Sequence, residues 1–160
     1  MDVTIAPYNS KHLEEIVRLS LRAWAPVFQS IEIEMGPATY RQYYPDWRAS
    51  QKEAVESVCR NENMPVWTAL SHGKPVGFVA VKRHDEGSLG EIYMVAVEPE
   101  AQGRGIASRL IDTATARMKN EGFNMCIIDT GMDPGHAPAR RAYEKLGFNM
   151  WPVARFYKEI

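Results

Sequence analysis

The chain has 160 residues, of which 45% are apolar and 24% charged, with a formal net charge of -1. That length suits one compact domain with a real core, and near neutrality argues against a general nucleic-acid binder or a membrane-surface protein. No run approaches the ~18 apolar residues of a membrane span, "MDVTIAPYNS" lacks the basic start and apolar run of a secretion signal, and Cys59 and Cys126 form no CxxC or zinc spacing, so a cytoplasmic protein without a metal site is expected.

Residues 3–6 alternate as a short strand does, and Ser10 stands where an N-cap would, ahead of Leu13, Ile16, Val17 and Trp24 at helical spacing. From Pro26 to Trp47 the chain is rich in aromatics and broken by "MGP" and "YPDW", which predicts short helices and loops. Ala49 to Arg60 is helical again. "VWTAL", "VGFVAV" and "EIYMVAV", separated by "SHGKP" and "HDEGSLG", predict three antiparallel strands joined by hairpins. Ile106, Leu110, Ala114 and Met118 then recur every fourth residue, and Gly122 sits where a C-terminal cap would end that helix. "FNMCIIDT" is a further strand, Pro138 to Leu146 a helix closed by Gly147, and "MWPVARFYKEI" a last extended segment.

Between the third of these strands and its helix lies "EPEAQGRGIASRL". A strand that passes through Gly103 and Gly105 into a helix N-terminus exposes several N–H groups without intrahelical partners, backed by the helix dipole. Glycine lets an anion approach the backbone, and Arg104 and Arg109 bring positive charge. A plain tight turn would use the same residues. A nucleotide P-loop is excluded, since GxxxxGK[ST] is absent. A dinucleotide fingerprint is closer, because Gly103-x-Gly105-x-x-Ser108 is followed by a helix, a strand and Asp129, where a ribose-binding carboxylate belongs. However, "EPEAQ" separates the strand from Gly103, and too little chain follows Asp129 for the remaining parallel strands.

"VAVEPEAQGRGIA" resembles the acetyl-CoA signature of the GNAT acetyltransferase superfamily, Q/R-x-x-G-x-G/A opening a helix, here Gln102, Gly105 and Ala107. "HAPARRAYEKLGF" is similar to the superfamily's second motif, N-x-x-A-x-x-x-Y-x-x-x-GF, with His136 where asparagine is usual. The resemblance is close over about residues 76–148. It implies a mixed, largely antiparallel central sheet flanked by helices, an α/β fold of α+β type, with one N-acetyltransferase domain over residues 1–160. It also implies a splayed strand pair that takes acetyl-CoA as acetyl donor. The residues it brings to the cofactor are Val95, Val97, Gln102, Gly103, Arg104, Gly105, Ile106, Ala107, Ser108, Arg140 and Tyr143. Carbonyl polarisation would come from a backbone N–H near Val95, on a strand the family bulges.

Tyr143 shares a helix face with Ala139, Ala142 and Leu146. The resemblance makes it the general acid; a core tyrosine bonded to a carbonyl is the plainer alternative. An acceptor amine, with a pKa near ~10.4, needs a base. Glu91 shares a strand face with Tyr93 and Val95 by the two-residue period and is the first candidate, directly or through water; Asp129 is the reserve. Arg140, Arg141 and Lys145 suit an adenosine phosphate or a solvated face. His136 could cap its helix, bond the cofactor or titrate.

Glu32, Glu34 and Asp46 among the aromatics could cradle a cationic amine, or the aromatics could simply pack. A small molecule, aminoglycoside-like or polyamine, is the expected acceptor; a protein N-terminus or lysine is the alternative, and a non-catalytic acetyl-CoA sensor is the alternative of another class. A short final strand would leave an edge able to pair into a homodimer.

Overall fold

The computed structural model describes residues 2–84 and 88–158. Residues 85–87, inside the expected "HDEGSLG" turn, lie outside the described residues. By its contacts the chain forms two compact units, Met1–Ala25 with Arg48–Asp129, and Pro26–Trp47 with Thr130–Ile160.

The first unit is built on a five-stranded sheet in the order β1-β2-β3-β4-β5, with β1 Thr4–Pro7, β2 Val66–Ser71, β3 Lys74–Arg83, β4 Leu89–Val97 and β5 Met125–Ile128. All neighbours are antiparallel except β4 and β5. Asn9, rather than Ser10, accepts the Lys11 N–H (3.1 Å) at the head of a short 3-10 turn, Ser10–His12, which continues into α1 (Leu13–Met35).

One face of the sheet buries Phe78, Ala80 and Ala96 against Ile16, Val17 and Leu19 of α1 and Val55 and Val58 of α3 (Trp47–Arg60). Each buried Val, Leu, Ile or Phe among them contributes roughly 1.5–3 kcal/mol of transfer free energy. The other face takes α4 (Ile106–Asn120), whose Ile106, Leu110, Ala114 and Met118 are buried at the predicted four-residue spacing. Gly90 makes room for it, since a Cβ there would collide with Met118 Sδ. Gly122, at φ +91, follows the helix end as the sequence predicts.

Helix α1 does not end at the proline. It runs on through Pro26, which has no N–H for the Arg22 carbonyl, and that residue opens the second unit. The short helices and loops expected between Pro26 and Trp47 are mostly helix, α1 to Met35 and then α2 (Pro37–Tyr43). Phe28 stacks on Trp47 with ring centroids 4.3 Å apart and meets Tyr44 edge-on at 5.3 Å. A 3-10 turn, Pro134–His136, leads directly into α5 (Ala137–Lys145). The expected final strand does not form among residues 149–158, where Pro152 has no N–H for a ladder and Trp151 and Phe156 are 84% and 91% exposed.

No helix among the described residues is long and apolar enough to cross a membrane, and those residues hold no cluster suited to a metal ion.

Candidate active site

Strand β4 carries the irregularity that the resemblance implies. Ala80 faces Met94 but Val81 faces Ile92, so Tyr93 is an extra residue, a β-bulge. The pairing of β4 with β5 stops at Ile92 opposite Ile128, so β4 continues from Tyr93 to Val97 with a partner on one side only. The Glu98 N–H bonds the Val76 carbonyl at 2.9 Å in the same register, which makes Ala96 and Met94 the hydrogen-bonded partners across to β3. By alternation the N–H and C=O groups of Val95 and Val97 point away from β3, to the side that β5 has left. Gln102 uses one of them, donating from Nε2 to the Val97 carbonyl at 3.0 Å.

The bulge also corrects the expected alignment of side chains. Val95 lies opposite Val79 and Ile92 opposite Val81, which puts both on the α4 face, whereas Glu91 pairs with Lys82 and faces the other way. A strict two-residue period cannot see this, because the extra residue reverses the parity.

Beyond β4 the chain makes a 3-10 turn, Pro99–Ala101, and enters the glycine turn. Gly103 and Gly105 have φ of +73° and +74°, where a Cβ is disfavoured, yet a Cβ on either would meet nothing within 4 Å. Gly105 is the N-cap of α4 without any side-chain cap. Among the described residues, the N–H groups from Gly103 to Ser108 donate to no protein acceptor; the next, Arg109, closes onto the Gly105 carbonyl at 3.1 Å. A row of six donors without protein acceptors at the start of a four-turn helix is chemically suited to an anion. Ile106 is buried beneath it, Ala107 and Ser108 are half-buried, and Arg104 is exposed. Arg109, expected to add charge, donates to the Val3 carbonyl (2.7 Å).

The Glu91 carboxylate is bonded to His84 Nε2 at 2.8 Å, a partner that the sequence did not suggest because seven residues and a hairpin separate them. Asp129 follows β5 as an exposed residue.

In the second unit, Tyr143 lies half-buried on α5 beside Phe148, with ring centroids 6.2 Å apart. Burial pushes its phenol up to about 12, so it is protonated throughout the neutral range. Among the described residues its hydroxyl has no protein partner, which disfavours the plainer alternative of a core tyrosine tied to a carbonyl. Arg140 is occupied, donating from Nη1 to the carbonyls of Gly131 (2.5 Å) and Asp133 (3.0 Å). Arg141 and Lys145 are exposed. His136 makes no side-chain cap; its Nδ1 lies 2.5 Å from Asp133 Oδ1. Burial pushes the Asp133 carboxyl up, but the neighbouring Ser30 and the paired His136 ring outweigh it and hold the group below the usual range. The sequence signal for this pair is the "DPGH" spacing, readable only once a 3-10 turn is known to fold it back. Close to it, a groove of about 350 Å³ is lined by Pro26, Gln29, Ser30, Ile33, Glu34, Pro134 and Gly135.

The site is thus a five-stranded mixed sheet with a bulged, splayed strand that leads into a helix whose first amides are open. A model of the acetyltransferase (GNAT) family matches residues 24–148, and the chain belongs to that family. Over 76 residues it is 38% identical to a mycothiol acetyltransferase of Actinosynnema mirum, covering 48% of this chain and 25% of the relative. The chain thus spans only about a quarter to a third of the curated relatives it matches. Among solved structures it is similar to AAC(6')-Iy in complex with the bisubstrate analogue CoA-S-monomethyl-acetylneamine (TM-score 0.68, 20% identity, 100% of this chain and 99% of that one). It is also similar to ribosomal-protein-alanine N-acetyltransferase from Brucella melitensis biovar Abortus 2308 (TM-score 0.67, 17% identity, 99% and 100% covered). At these identities the likeness is one of fold.

Proposed function

We propose that this acetyltransferase moves an acetyl group from acetyl-CoA directly to a primary amine of a small molecule, aminoglycoside-like or polyamine. The observation that carries the cofactor is the row of N–H groups from Gly103 to Ser108 beside a strand whose Val95 and Val97 groups have been released from the sheet. Acetyl-CoA, when bound, supplies an activated acetyl group as a thioester.

Residues Gly103, Arg104, Gly105, Ile106, Ala107 and Ser108 would hold the pyrophosphate through their amides, with Ile106 anchoring the helix and Gln102 fixing the turn. Val97 would pair with the pantetheine amides, and the Val95 N–H would polarise the thioester carbonyl. Tyr143 is the proposed proton source for the departing sulfur. With its phenol near 12, against ~8.5 for a thiol, it serves best by a hydrogen bond that strengthens as charge develops. Arg140 would act from behind, fixing the loop that precedes α5. Glu91, through water, or Asp129 is the proposed carboxylate for the acceptor's proton.

Glu34 in the groove of the second unit supports a cationic small molecule, for which about 350 Å³ is adequate room. Residues 1–160 are proposed as one acetyltransferase domain, supported by a family match that draws on both units. A homodimer and a cytoplasmic setting, the latter in keeping with two free cysteines, belong to the same proposal.

The test is thiol release from acetyl-CoA across a panel of free amines and of peptides. Turnover with free amines is expected. Turnover confined to peptides would move the acceptor to protein, and binding without thiol release would make the chain a sensor.

A further inference from the structure

Strand β4 leaves β5 after Ile92, and the first residue beyond is Tyr93, the one that the bulge makes extra. Its ring is 43% exposed, and the Nζ of Lys82, from the neighbouring strand β3, lies over it at 5.6 Å from the centroid. We propose that Tyr93 and the Glu91 carboxylate form the subsite that receives the acceptor's ammonium, in the place taken by that of Lys82, an assignment that deepens the acetyl-transfer reading and rests on it.

The register decides the face, and all the residues concerned belong to the first unit. Lys82 follows Phe78 and Ala80 by the two-residue period and pairs directly with Glu91, so both stand on the face opposite α4. That face is closed at Ala80, which is fully buried, and open at Lys82, which is exposed. The other face is shut along the same length of β4: a Cβ on Gly77 would press on Leu110 and Val97, and one on Gly90 would collide with Met118. Val95 is two residues beyond Tyr93, roughly 6.6 Å along the strand, and its N–H lies in the plane of the sheet. An acceptor therefore reaches the Val95 N–H from the Tyr93 side, since α4 screens the other.

The corner has the chemistry of its occupant. Lys82 ends in a primary alkylammonium, the group that a primary-amine acceptor presents at neutral pH, and an aromatic face attracts it through the ring quadrupole. An exposed contact of this kind is weak, so a free amine can exchange with the side chain. Glu91 adds the opposite charge. Its Oε2 accepts from His84 Nε2 at 2.8 Å, which fixes the carboxylate, and among the described residues Oε1 has no protein partner. At 14% exposure the Glu91 side chain is sheltered, so salt screens its charge less than that of a surface carboxylate. The charged and titratable groups around the corner are Lys82 on β3, His84 just after it, Glu91 and Tyr93 on β4, and Cys126 of β5, whose thiol feels Glu91.

Such a subsite selects charge and reach. An ammonium at the end of an unbranched, flexible chain fits as the lysine stem does, whereas a neutral hydroxyl offers nothing to the ring face or the carboxylate. The acetylated product is an uncharged amide and loses both attractions, which favours its release and the return of Lys82 to the ring.

The experiment measures kcat and KM for the best amine of the panel in wild type, Tyr93→Leu, Tyr93→Phe and Lys82→Met, with acetyl-CoA affinity by calorimetry. Tyr93→Leu should raise the amine KM about three- to thirtyfold, the range of a cation–ring contact, with kcat and acetyl-CoA affinity within about twofold. Tyr93→Phe keeps the ring face and should recover most of that loss, and Lys82→Met, which removes the resident ammonium, should lower KM. A KM that Tyr93→Leu leaves unchanged, or that Lys82→Met raises, overturns the subsite while acetyl transfer stands. If the variants do not fold, the wild type with CoA bound is titrated with n-butylammonium and with n-butanol as its neutral counterpart. Shifts of the Tyr93 ring and Lys82 Nζ resonances with the cation alone are expected; no shift, or equal shifts with both, overturns the proposal. Wild-type protein that acetylates no amine removes the transfer reading, and the same titration then decides the ammonium subsite by itself.

Discussion

Gln102 donates from Nε2 to the Val97 carbonyl at 3.0 Å, tying the glycine turn to the last residue of β4. This bond sets where the row of free amides begins relative to the strand. Gln102→Ala removes one hydrogen bond, worth about 0.5–1.5 kcal/mol, and should weaken acetyl-CoA binding by roughly two- to tenfold in calorimetry. Unchanged affinity would detach the side chain from the site.

Gly105→Ala separates conformation from contact. At φ +74° a methyl meets no atom, so folding should lose only the left-handed backbone cost, about 1–2 kcal/mol by urea denaturation. On the proposed reading cofactor affinity should fall by more than that, because a side chain on the turn holds an anion off the backbone amides. An equal loss in both measurements would mean that the turn is structural.

Tyr143→Phe should lower turnover by at least tenfold and spare acetyl-CoA affinity. It should also change alkaline stability. The phenol is raised to about 12 in the folded chain by burial, against an ordinary ~10, so the folded state binds more protons between those values. Wild-type stability is therefore full below pH ~10 and falls by about 2–3 kcal/mol as pH rises toward 12. The phenylalanine variant should lack that part of the fall in denaturation curves at pH 9 to 12.

Glu98 accepts both Nε (2.8 Å) and Nη2 of Arg22, and this hydrogen-bonded partner is the main reason its carboxyl is held below the usual range. Its contribution is present above the ordinary value and lost as pH falls through the depressed one. Arg22→Leu should cost about 1 kcal/mol at pH 7, discounted because Arg22 is half exposed, and should flatten the loss of stability as pH falls below the ordinary carboxylate range.

The helices and strands whose apolar period is sustained were legible from sequence, α4 most clearly, with its four buried residues and Gly122. The glycine turn was legible because positive φ has a compositional mark. The bulge at Tyr93 was not, since it is an event of register between two strands and leaves no trace in the composition of either. For the same reason Glu91 was placed on the wrong face. The His84–Glu91 and His136–Asp133 pairs depend on a hairpin and a 3-10 turn that fold back at short range, and the backbone carbonyls to which Arg109 and Arg140 donate are set by loop geometry that composition does not reveal. Helix α1 outran Pro26 because one missing hydrogen bond is outweighed by the packing of Phe28 on Trp47 and Tyr44.

The most direct measurement is amide hydrogen exchange with and without acetyl-CoA. Residues 103–108, whose N–H groups have no protein acceptor, should exchange rapidly in the free protein and become protected on binding, together with Val95. Binding of acetyl-CoA with exchange at 103–108 unchanged would contradict the placement of the cofactor on this turn.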